Sequence, residues 1–132
     1  MKSAEQWIKQ LELEDHPEGG SYKRIYESSL ELTTSSGARP SATAIHYLLK
    51  ANDFSAWHRI KSDETWFYHY GAELSIYEIS PSGELIHHLL GSNSNLSITI
   101  NANNWFCAEI QKENLDVSSQ SYTLVSCMVN PG

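Results

Sequence analysis

Residues 57–71 read WHRIKSDETWFYHYG, and the second half of this stretch decides the fold class. TWFYHY at 65–70 is rich in aromatic residues, which favour β-strands, and Gly71 ends the segment. Similar short segments recur along the chain: ATAIHYLL (42–49), LSIYEI (74–79), ELIHHLL (84–90), NLSITI (95–100), WFCAEI (105–110) and YTLVSCMV (122–129). Turn residues such as Pro81-Ser82-Gly83 separate them. Many short strands with regular turns predict an all-β double-sheet sandwich or barrel.

The first dozen residues are the one segment in which we expect a helix. Ser3 and Gln6 have capping-box spacing, and apolar residues recur on one helical stripe after them. HPEGG at 16–20 then ends the helix and leads into a tyrosine-containing strand. A length of 132 residues suits one domain, 1–132, with a single core.

Several predicted strands carry large apolar residues on both faces, which a sheet with one solvated face does not need. The last strand shows this most clearly, with Tyr122, Leu124 and Met128 on one face and Val125, Cys127 and Val129 on the other. We expect one face to fill the barrel and the other to pack on a second sheet or a second subunit. The pattern therefore predicts a homodimer.

The overall charge and the ends of the chain restrict the partners. A net charge of −7 argues against nucleic acid, which rewards clustered Lys and Arg. No apolar stretch reaches membrane-spanning length, so we expect no membrane partner. The start, MKSAEQWIKQLELED, lacks the pattern of a secretory signal, and we expect a cytoplasmic protein. Cys107 and Cys127 lie in apolar β-like runs, which favours buried free thiols over a disulfide.

The opening stretch resembles the first motif of the cupins, which are small double-sheet β-barrels (jelly rolls). That motif runs Gly, His-x-His, three or four residues, Glu, six residues, Gly. Here His58 takes the first histidine position, Glu64 the glutamate and Gly71 the closing glycine, while Ile60 stands at the second histidine position. The match predicts a cupin barrel in which one metal ligand of the motif is lost.

The second cupin motif, Pro-x-Gly-x-x-His, has its best counterpart in NANNWF at 101–106. Asn101 stands for the proline, Asn103 for the glycine and Phe106 for the histidine. A second ligand is therefore lost. By motif, only His58 and Glu64 remain of the four metal ligands.

A more specific resemblance is to one branch of cupins long catalogued as a domain of unknown function. That branch is marked by HPEGG with a following aromatic strand, by an S-x-A-I-x-x-L-L strand, by F-S-x-W-H-R-x-x-S-D-E-x-W, and by C-x-V-x-P-G. The counterparts here, in order, are residues 16–26, 41–49, 54–66 and 127–132. Members often have His-x-His after the tryptophan, whereas Phe67 leaves only His69 here. The matches span nearly the whole chain.

A zinc or iron centre needs three or more protein ligands at fixed geometry. His69 or His46 could supply the third, but strand alternation is unfavourable for His69. If Glu64 points into the barrel, Trp66 and Tyr68 follow it inward and His69 points outward. We therefore expect no cofactor, with a divalent metal on His58 and Glu64 as the alternative.

Without a metal, His58 and Glu64 have two interpretations. They could form an acid–base pair with Tyr68, in which burial raises the pKa of Glu64 into a useful range. They could instead pair only to satisfy each other. His16 could reach a pocket, although we expect it to support the HPEGG turn. The candidate ligand-binding residues are Trp57, Arg59, Trp66, His69, Phe106, Tyr47 and Arg24.

The expected function is binding of a small molecule, such as a sugar, a nucleotide-sugar or a carboxylate, around His58 and Glu64. A metal-independent isomerase or epimerase is the alternative, because related barrels use a histidine base and a tyrosine acid. The tyrosine would be Tyr68 or Tyr47. A metal-dependent cupin enzyme is the second alternative. Two polar segments, 33–41 and 111–121, are expected to be flexible, and either could carry function by closing over a pocket.

Overall fold

The computed structural model describes residues 1–111, 118 and 120–132, and its described part is predominantly β. Its elements are α1 (Ala4–Leu11), β1 (Glu14–Asp15), β2 (Ser21–Glu27), β3 (Glu31–Thr34), β4 (Gly37–Pro40), β5 (Thr43–Lys50), β6 (Phe54–His58), β7 (Asp63–Gly71), β8 (Leu74–Ile79), β9 (Leu85–Leu90), β10 (Ser97–Ile100), β11 (Trp105–Ile110) and β12 (Tyr122–Asn130). The predicted all-β class with a short N-terminal helix is confirmed. No helix among these residues is long and apolar enough to cross a membrane.

The helix α1 begins with the predicted capping box. The Ser3 hydroxyl oxygen accepts from the Gln6 backbone N–H at 3.1 Å, and the Gln6 side-chain oxygen accepts from the Ser3 N–H at 2.7 Å. These two bonds satisfy backbone donors that the first helical turn leaves unpaired. The apolar stripe of α1 then packs on one end of the large sheet, over Leu48, Tyr122 and Leu124.

Two antiparallel sheets face each other. The large sheet has the order β1-β2-β5-β12-β7-β10, and the small sheet has the order β6-β11-β8-β9. Their inner faces enclose the main core, whose fully buried members include Leu49, Trp66, Ile76, Phe106 and Val125. Residues alternate between the two faces of each strand, so every second residue enters this core. The predicted double-sheet barrel is confirmed.

The last strand, β12, has the two apolar faces that the sequence indicated. Val125 and Cys127 point between the sheets, whereas Leu124 points outward and is covered by α1. Met128, farther along the outer face, is exposed. The helix therefore covers one end of this face, and the homodimer stays a prediction. Cys107 and Cys127 are free thiols, with Cys127 buried and Cys107 half-buried.

The polar segment 33–41 is not the flexible loop that the sequence suggested. Most of it forms the hairpin of β3 and β4. Thr34 closes the turn, because its hydroxyl donates to the Gly37 carbonyl at 2.8 Å. Most of the second such segment, 111–121, lies outside the described residues.

Candidate functional site

A cavity of about 370 Å³ lies between the two sheets, and His58 and Glu64 both line it. An adjoining recess of about 20 Å³ shares His16, Ile45, His58, Glu64 and Cys127 as lining residues and adds Tyr47, Ser55 and Trp66. The added residues are buried, so the recess is the deep end of the barrel cavity. Its volume suits one water-sized group, such as a hydroxyl. The structure therefore brings His58 and Glu64 together as expected.

The two residues reach the cavity from opposite sheets. His58 ends β6 in the small sheet, where it lies opposite Phe106 of β11. Glu64 lies near the start of β7 in the large sheet, between Ile100 and Val129 on the neighbouring strands. Because only five residues separate them, the connection crosses directly from one sheet to the other. The spacing of the first cupin motif thus sets the width of the cavity.

The imidazole of His58 is held in one tautomer. Its Nδ1 lies 2.6 Å from the Ala56 carbonyl oxygen, and a carbonyl can only accept, so Nδ1 carries the proton and donates it. In the neutral ring Nε2 is then unprotonated and is left as an acceptor or base for the cavity. The Phe106 ring packs against the imidazole with a centroid distance of 4.2 Å and fixes its position.

Glu64 has an unusual acidity for a glutamate. Burial raises its pKa from 4.5 to about 7, and a hydrogen bond from Trp66 opposes this only in part. That bond, from the Trp66 indole N–H to a Glu64 carboxyl oxygen at 2.9 Å, is the one described hydrogen bond of the carboxyl group. Near neutral pH, both the protonated and the ionised form of Glu64 are therefore accessible, and the group can donate or accept a proton.

His58 and Glu64 do not form a mutual pair. Among the described residues no hydrogen bond or ion pair joins them, because each has its own partner, Ala56 for His58 and Trp66 for Glu64. The interpretation in which the two only satisfy each other is wrong. Both groups keep polar atoms that a ligand can engage.

His16 lines the cavity, which the sequence interpretation had raised as an alternative to its preferred role in the HPEGG turn. Its Nδ1 accepts the Glu18 backbone N–H at 2.9 Å, so the expected support of the HPEGG turn is real. In the neutral ring the proton then lies on Nε2, which faces away from that bond. Burial, and to a lesser extent the nearby His58, lower the pKa of His16, although Glu18 raises it. His16 and His58 thus line one cavity in opposite tautomers, a donor and an acceptor.

The two candidate tyrosine acids have their hydroxyl groups occupied. Tyr68 faces inward, but its hydroxyl donates to the Gly71 carbonyl at 2.7 Å, and Tyr68 is not among the residues lining the barrel cavity. Tyr47 lines the recess, where its hydroxyl donates to the Gly19 carbonyl at 2.6 Å. Burial raises the pKa of Tyr47 further above neutrality. Neither hydroxyl is placed as a free proton donor.

Three candidate ligand-binding residues point away from the cavity, and for these the expected placement is corrected. Trp57 lies on the outer side of the small sheet and Arg59 stacks over Trp105, with 5.3 Å from the guanidinium carbon to the ring centroid. Both flank His58, and neighbours on an extended chain point to opposite sides. His69 lies on the outer face of the large sheet, where it bonds the Ser126 hydroxyl, as alternation predicted.

The remaining candidates lie at or beside the cavity. Trp66 lines the recess and donates to Glu64. Phe106 is fully buried behind the His58 ring. Arg24 lines the outer part of the cavity, where its guanidinium also forms an exposed ion pair with Glu27 at 3.1 Å.

The donor set does not fit the metal centre of the cupin motifs. Ile60 and Phe106 place hydrocarbon at two of the four ligand positions. His46 and His69, the possible substitutes, lie with ring centroids 6.3 Å apart on the outer face. Within the described part of the chain, no group of three or more His, Cys, Asp or Glu residues is arranged to hold a metal ion. We therefore derive no chemistry through a metal.

The second motif is nevertheless recognisable in the backbone. Asn103, at the glycine position, has φ +70°, a left-handed conformation that favours glycine and is tolerated by asparagine. Its N–H donates to the Ile60 carbonyl at 2.8 Å. The turn of the second motif is therefore kept, and it still contacts the first motif, although each motif has lost one metal ligand.

Comparison with known proteins agrees with this geometry. The sequence profile described as Cupin superfamily (DUF985) matches residues 5–132. A hypothetical protein from Leishmania major is 32% identical with a TM-score of 0.91, covering 99% of this chain and 82% of its own. A protein from Shewanella oneidensis is 34% identical with a TM-score of 0.86, covering 100% of this chain and 80% of its own. No curated protein matches the chain.

A more distant likeness concerns the fold alone. Oxalate decarboxylase from Bacillus subtilis, studied for its Mn(II) centres, is 10% identical with a TM-score of 0.63. The match covers 91% of this chain but 28% of the decarboxylase.

Proposed function

The chain belongs to the DUF985 family of the cupin superfamily, and we propose that it binds a small polar molecule in the barrel cavity, with His58 and Glu64 as central contacts. The classes that suit the site are sugars, nucleotide-sugars and carboxylates. The observation that carries the proposal is Glu64, a half-buried residue whose carboxyl group has a pKa raised to about 7 and one described hydrogen bond. Holding a carboxyl group in such surroundings destabilises the folded state, and groups with strongly shifted pKa values are concentrated at functional sites.

The surroundings of Glu64 support binding more than simple packing. His58 offers an acceptor at Nε2, His16 offers a donor at Nε2, and Glu64 can do either. The recess that these three residues line has room for one hydroxyl or carbonyl oxygen. The aromatic rings of Tyr47 and Trp66 line the recess, and the Phe106 ring packs against Trp66 and the His58 imidazole. Ligand sites typically have a mostly apolar wall in which a few polar groups converge on the ligand.

Thermal-shift measurements test this proposal. A ligand that binds only the native state raises the melting temperature, by several degrees at about 100 times its Kd. We expect a response to one or more compounds among sugars, nucleotide-sugars and small carboxylates. The Glu64→Gln and His58→Ala proteins should lose it, and His87→Ala, which changes an exposed histidine on the outer face, should keep it. A complete lack of response across these classes would refute the proposal.

A metal-independent isomerase or epimerase is the second candidate, favoured by the acidity of Glu64 beside a fixed imidazole base. In that reaction His58 Nε2 takes a proton from a carbon next to a carbonyl, and Glu64 or His16 donates a hydrogen bond to the carbonyl oxygen. Return of a proton to either side of the carbon completes the exchange. The donor is Glu64 or His16 rather than a tyrosine, because Tyr47 and Tyr68 donate to backbone carbonyls.

Deuterium exchange separates this candidate from simple binding. Deuterium from the solvent should enter a bound keto sugar or keto acid at the carbon next to the carbonyl. The rate should fall to background in His58→Ala and stay unchanged in His87→Ala. Binding without exchange would leave the first proposal in place and remove the second.

A further inference from the structure

We infer that the ligand carries an oxyanion group, a carboxylate or a phosphate, which is held at the cavity opening by Arg24, Arg39 and Lys61. We call these three residues the cationic rim. The inference rests on the proposed function and names the chemical class of its ligand.

The first observation is the distribution of charge. The protein has a net charge of −7 and only three arginines, yet two of them line this one cavity together with Lys61. The acidic side chains of the same lining are Glu18 and Glu64, and burial raises the pKa of Glu64 to about 7. Cationic side chains therefore outnumber acidic ones in this lining, the reverse of the protein as a whole. Such local potential attracts and orients anions.

The second observation is that two of the three rim cations have donors available, whereas Arg24 is already paired with Glu27. In the described part of the chain, Arg39 and Lys61 have no acidic side chain within ion-pair distance. Arg39 donates from Nε to the Gly132 oxygen at 2.6 Å, which fixes the guanidinium and leaves its two terminal nitrogens for a ligand. Lys61 has only a long contact of 3.4 Å to the Ser36 hydroxyl. Guanidinium and ammonium groups with open donors suit an oxyanion.

The third observation is where these cations come from. Arg39 lies on β4 and Arg24 on β2, whereas Lys61 lies in the connection that carries His58 to Glu64. Residues far apart in sequence thus converge on one opening. Arg59 and Lys23, their neighbours, do not line it. A general basic surface would not make this distinction.

The two ends of the cavity then recognise two parts of one molecule. The rim takes the oxyanion, and the recess takes a hydroxyl or carbonyl oxygen between His16, His58 and Glu64. A volume of about 370 Å³ accommodates a molecule of six carbons with one charged group. Hydroxy acids, keto acids and sugar phosphates have this layout.

Isothermal titration with three probes of one carbon skeleton tests the inference. Glucose is neutral, gluconate carries a carboxylate, and glucose 6-phosphate carries a phosphate. We expect at least one of the two anions to bind 10-fold or more tightly than glucose. Raising the salt concentration from about 20 to about 500 mM should weaken binding of the anion and leave the affinity for glucose unchanged.

Four variants assign the effect to residues. Lys61→Ala and Arg24→Ala remove exposed rim cations, and each should lower the affinity for the anion about 5- to 30-fold. Lys23→Ala and Arg59→Ala remove the same charge at sites outside the cavity, and each should change the affinity less than 2-fold. Equal losses in all four proteins would overturn the inference, because they would reflect net charge alone.

The outcomes also separate this inference from the proposed function. If glucose binds as tightly as its anions and depends on His58 and Glu64, the inference is wrong and the proposed function stands. If none of the three probes binds, the inference is wrong for this class of molecule, and the thermal-shift screen then decides the proposed function. The difference between gluconate and glucose 6-phosphate identifies which oxyanion the rim prefers.

Discussion

Replacing Glu64 by glutamine should stabilise the protein, and the gain should grow with pH. Glutamine has nearly the same shape and can still accept the hydrogen bond from the Trp66 indole N–H. It cannot ionise, however, so it removes the cost of holding a carboxylate in the barrel. A residue that is needed only for packing would not show a gain of this kind.

The size of the effect follows from the pKa of Glu64, which is about 7 in the folded protein against 4.5 ordinarily. Because the folded state holds the proton more tightly, the wild-type protein loses stability as pH rises from about 4.5 to 7, and the loss is complete above 7. At about 1.36 kcal/mol per pH unit, the free energy of unfolding changes by roughly 2.5 kcal/mol between pH 5 and pH 8. The carboxyl group also borders the cavity, and solvent screening there reduces our expectation to about 1–2 kcal/mol.

Urea unfolding at pH 5 and pH 8 measures this difference for the wild-type and Glu64→Gln proteins. Glu84→Gln is the matched control, because Glu84 is exposed and the same atoms change. The other ionisable groups are the same in both proteins, so their contributions largely cancel in the comparison. An equal effect of Glu64→Gln at the two pH values would refute the raised pKa of Glu64, and with it the observation that carries the proposed function.

Four further predictions concern the stability of the fold, the metal content and the oligomeric state. Gly71→Ala should lower the free energy of unfolding by about 3 kcal/mol or more, the sum of backbone strain and overpacking. The strain arises because φ at Gly71 is +105°, and the overpacking because an added Cβ meets the Tyr122 carbonyl oxygen. Gly83→Ala, with φ +86° and open space, should cost only about 1 kcal/mol in the same urea measurement. Glu78→Gln should cost about 1–3 kcal/mol at pH 7, because hydrogen bonds from Asn104, His88 and the Asn101 N–H outweigh burial and hold the pKa of Glu78 low. The cost should shrink as pH falls below 4.5 and the wild-type carboxylate takes up a proton, which acid unfolding curves will show. Elemental analysis of protein purified without chelator should find less than one equivalent of zinc, iron or manganese, and a full equivalent would contradict the donor set described above. Sedimentation should give a dimer, since the outer face of the large sheet leaves Phe67 and Met128 exposed, and a monomer at all concentrations would refute this.

The fold could be predicted from the sequence because its two signals, the alternation of residues along the strands and the spacing of the motif residues, are local. Alternation along TWFYHY predicted that Trp66 lies inside and His69 outside, and the structure agrees. The motif match predicted that His58 and Glu64 share one pocket, and both line the cavity between the sheets. The segment 33–41 was misread because its polar composition hides a hairpin that backbone hydrogen bonds hold together.

The site was only partly predictable, because its other members depend on long-range topology. Trp57 and Arg59 flank His58 in the sequence, but adjacent residues of a strand face opposite sides, so they point away from the cavity that His58 lines. Arg39 and Lys61 were missed, since nothing local shows that β4 and the connection after β6 meet at one opening. The role of His16 followed only from its bond to the Glu18 N–H, which leaves the other ring nitrogen for the cavity.

The loss of two ligand positions and the survival of His58 and Glu64 have one physical explanation. Each surviving group has a partner that does not depend on a metal, Ala56 for the imidazole and Trp66 for the carboxyl group. Ile60 and Phe106 stand at the positions of the lost ligands with hydrocarbon side chains. Burial raises the pKa of Glu64 to about 7, so the carboxyl group that remains can exchange a proton near neutral pH without a metal.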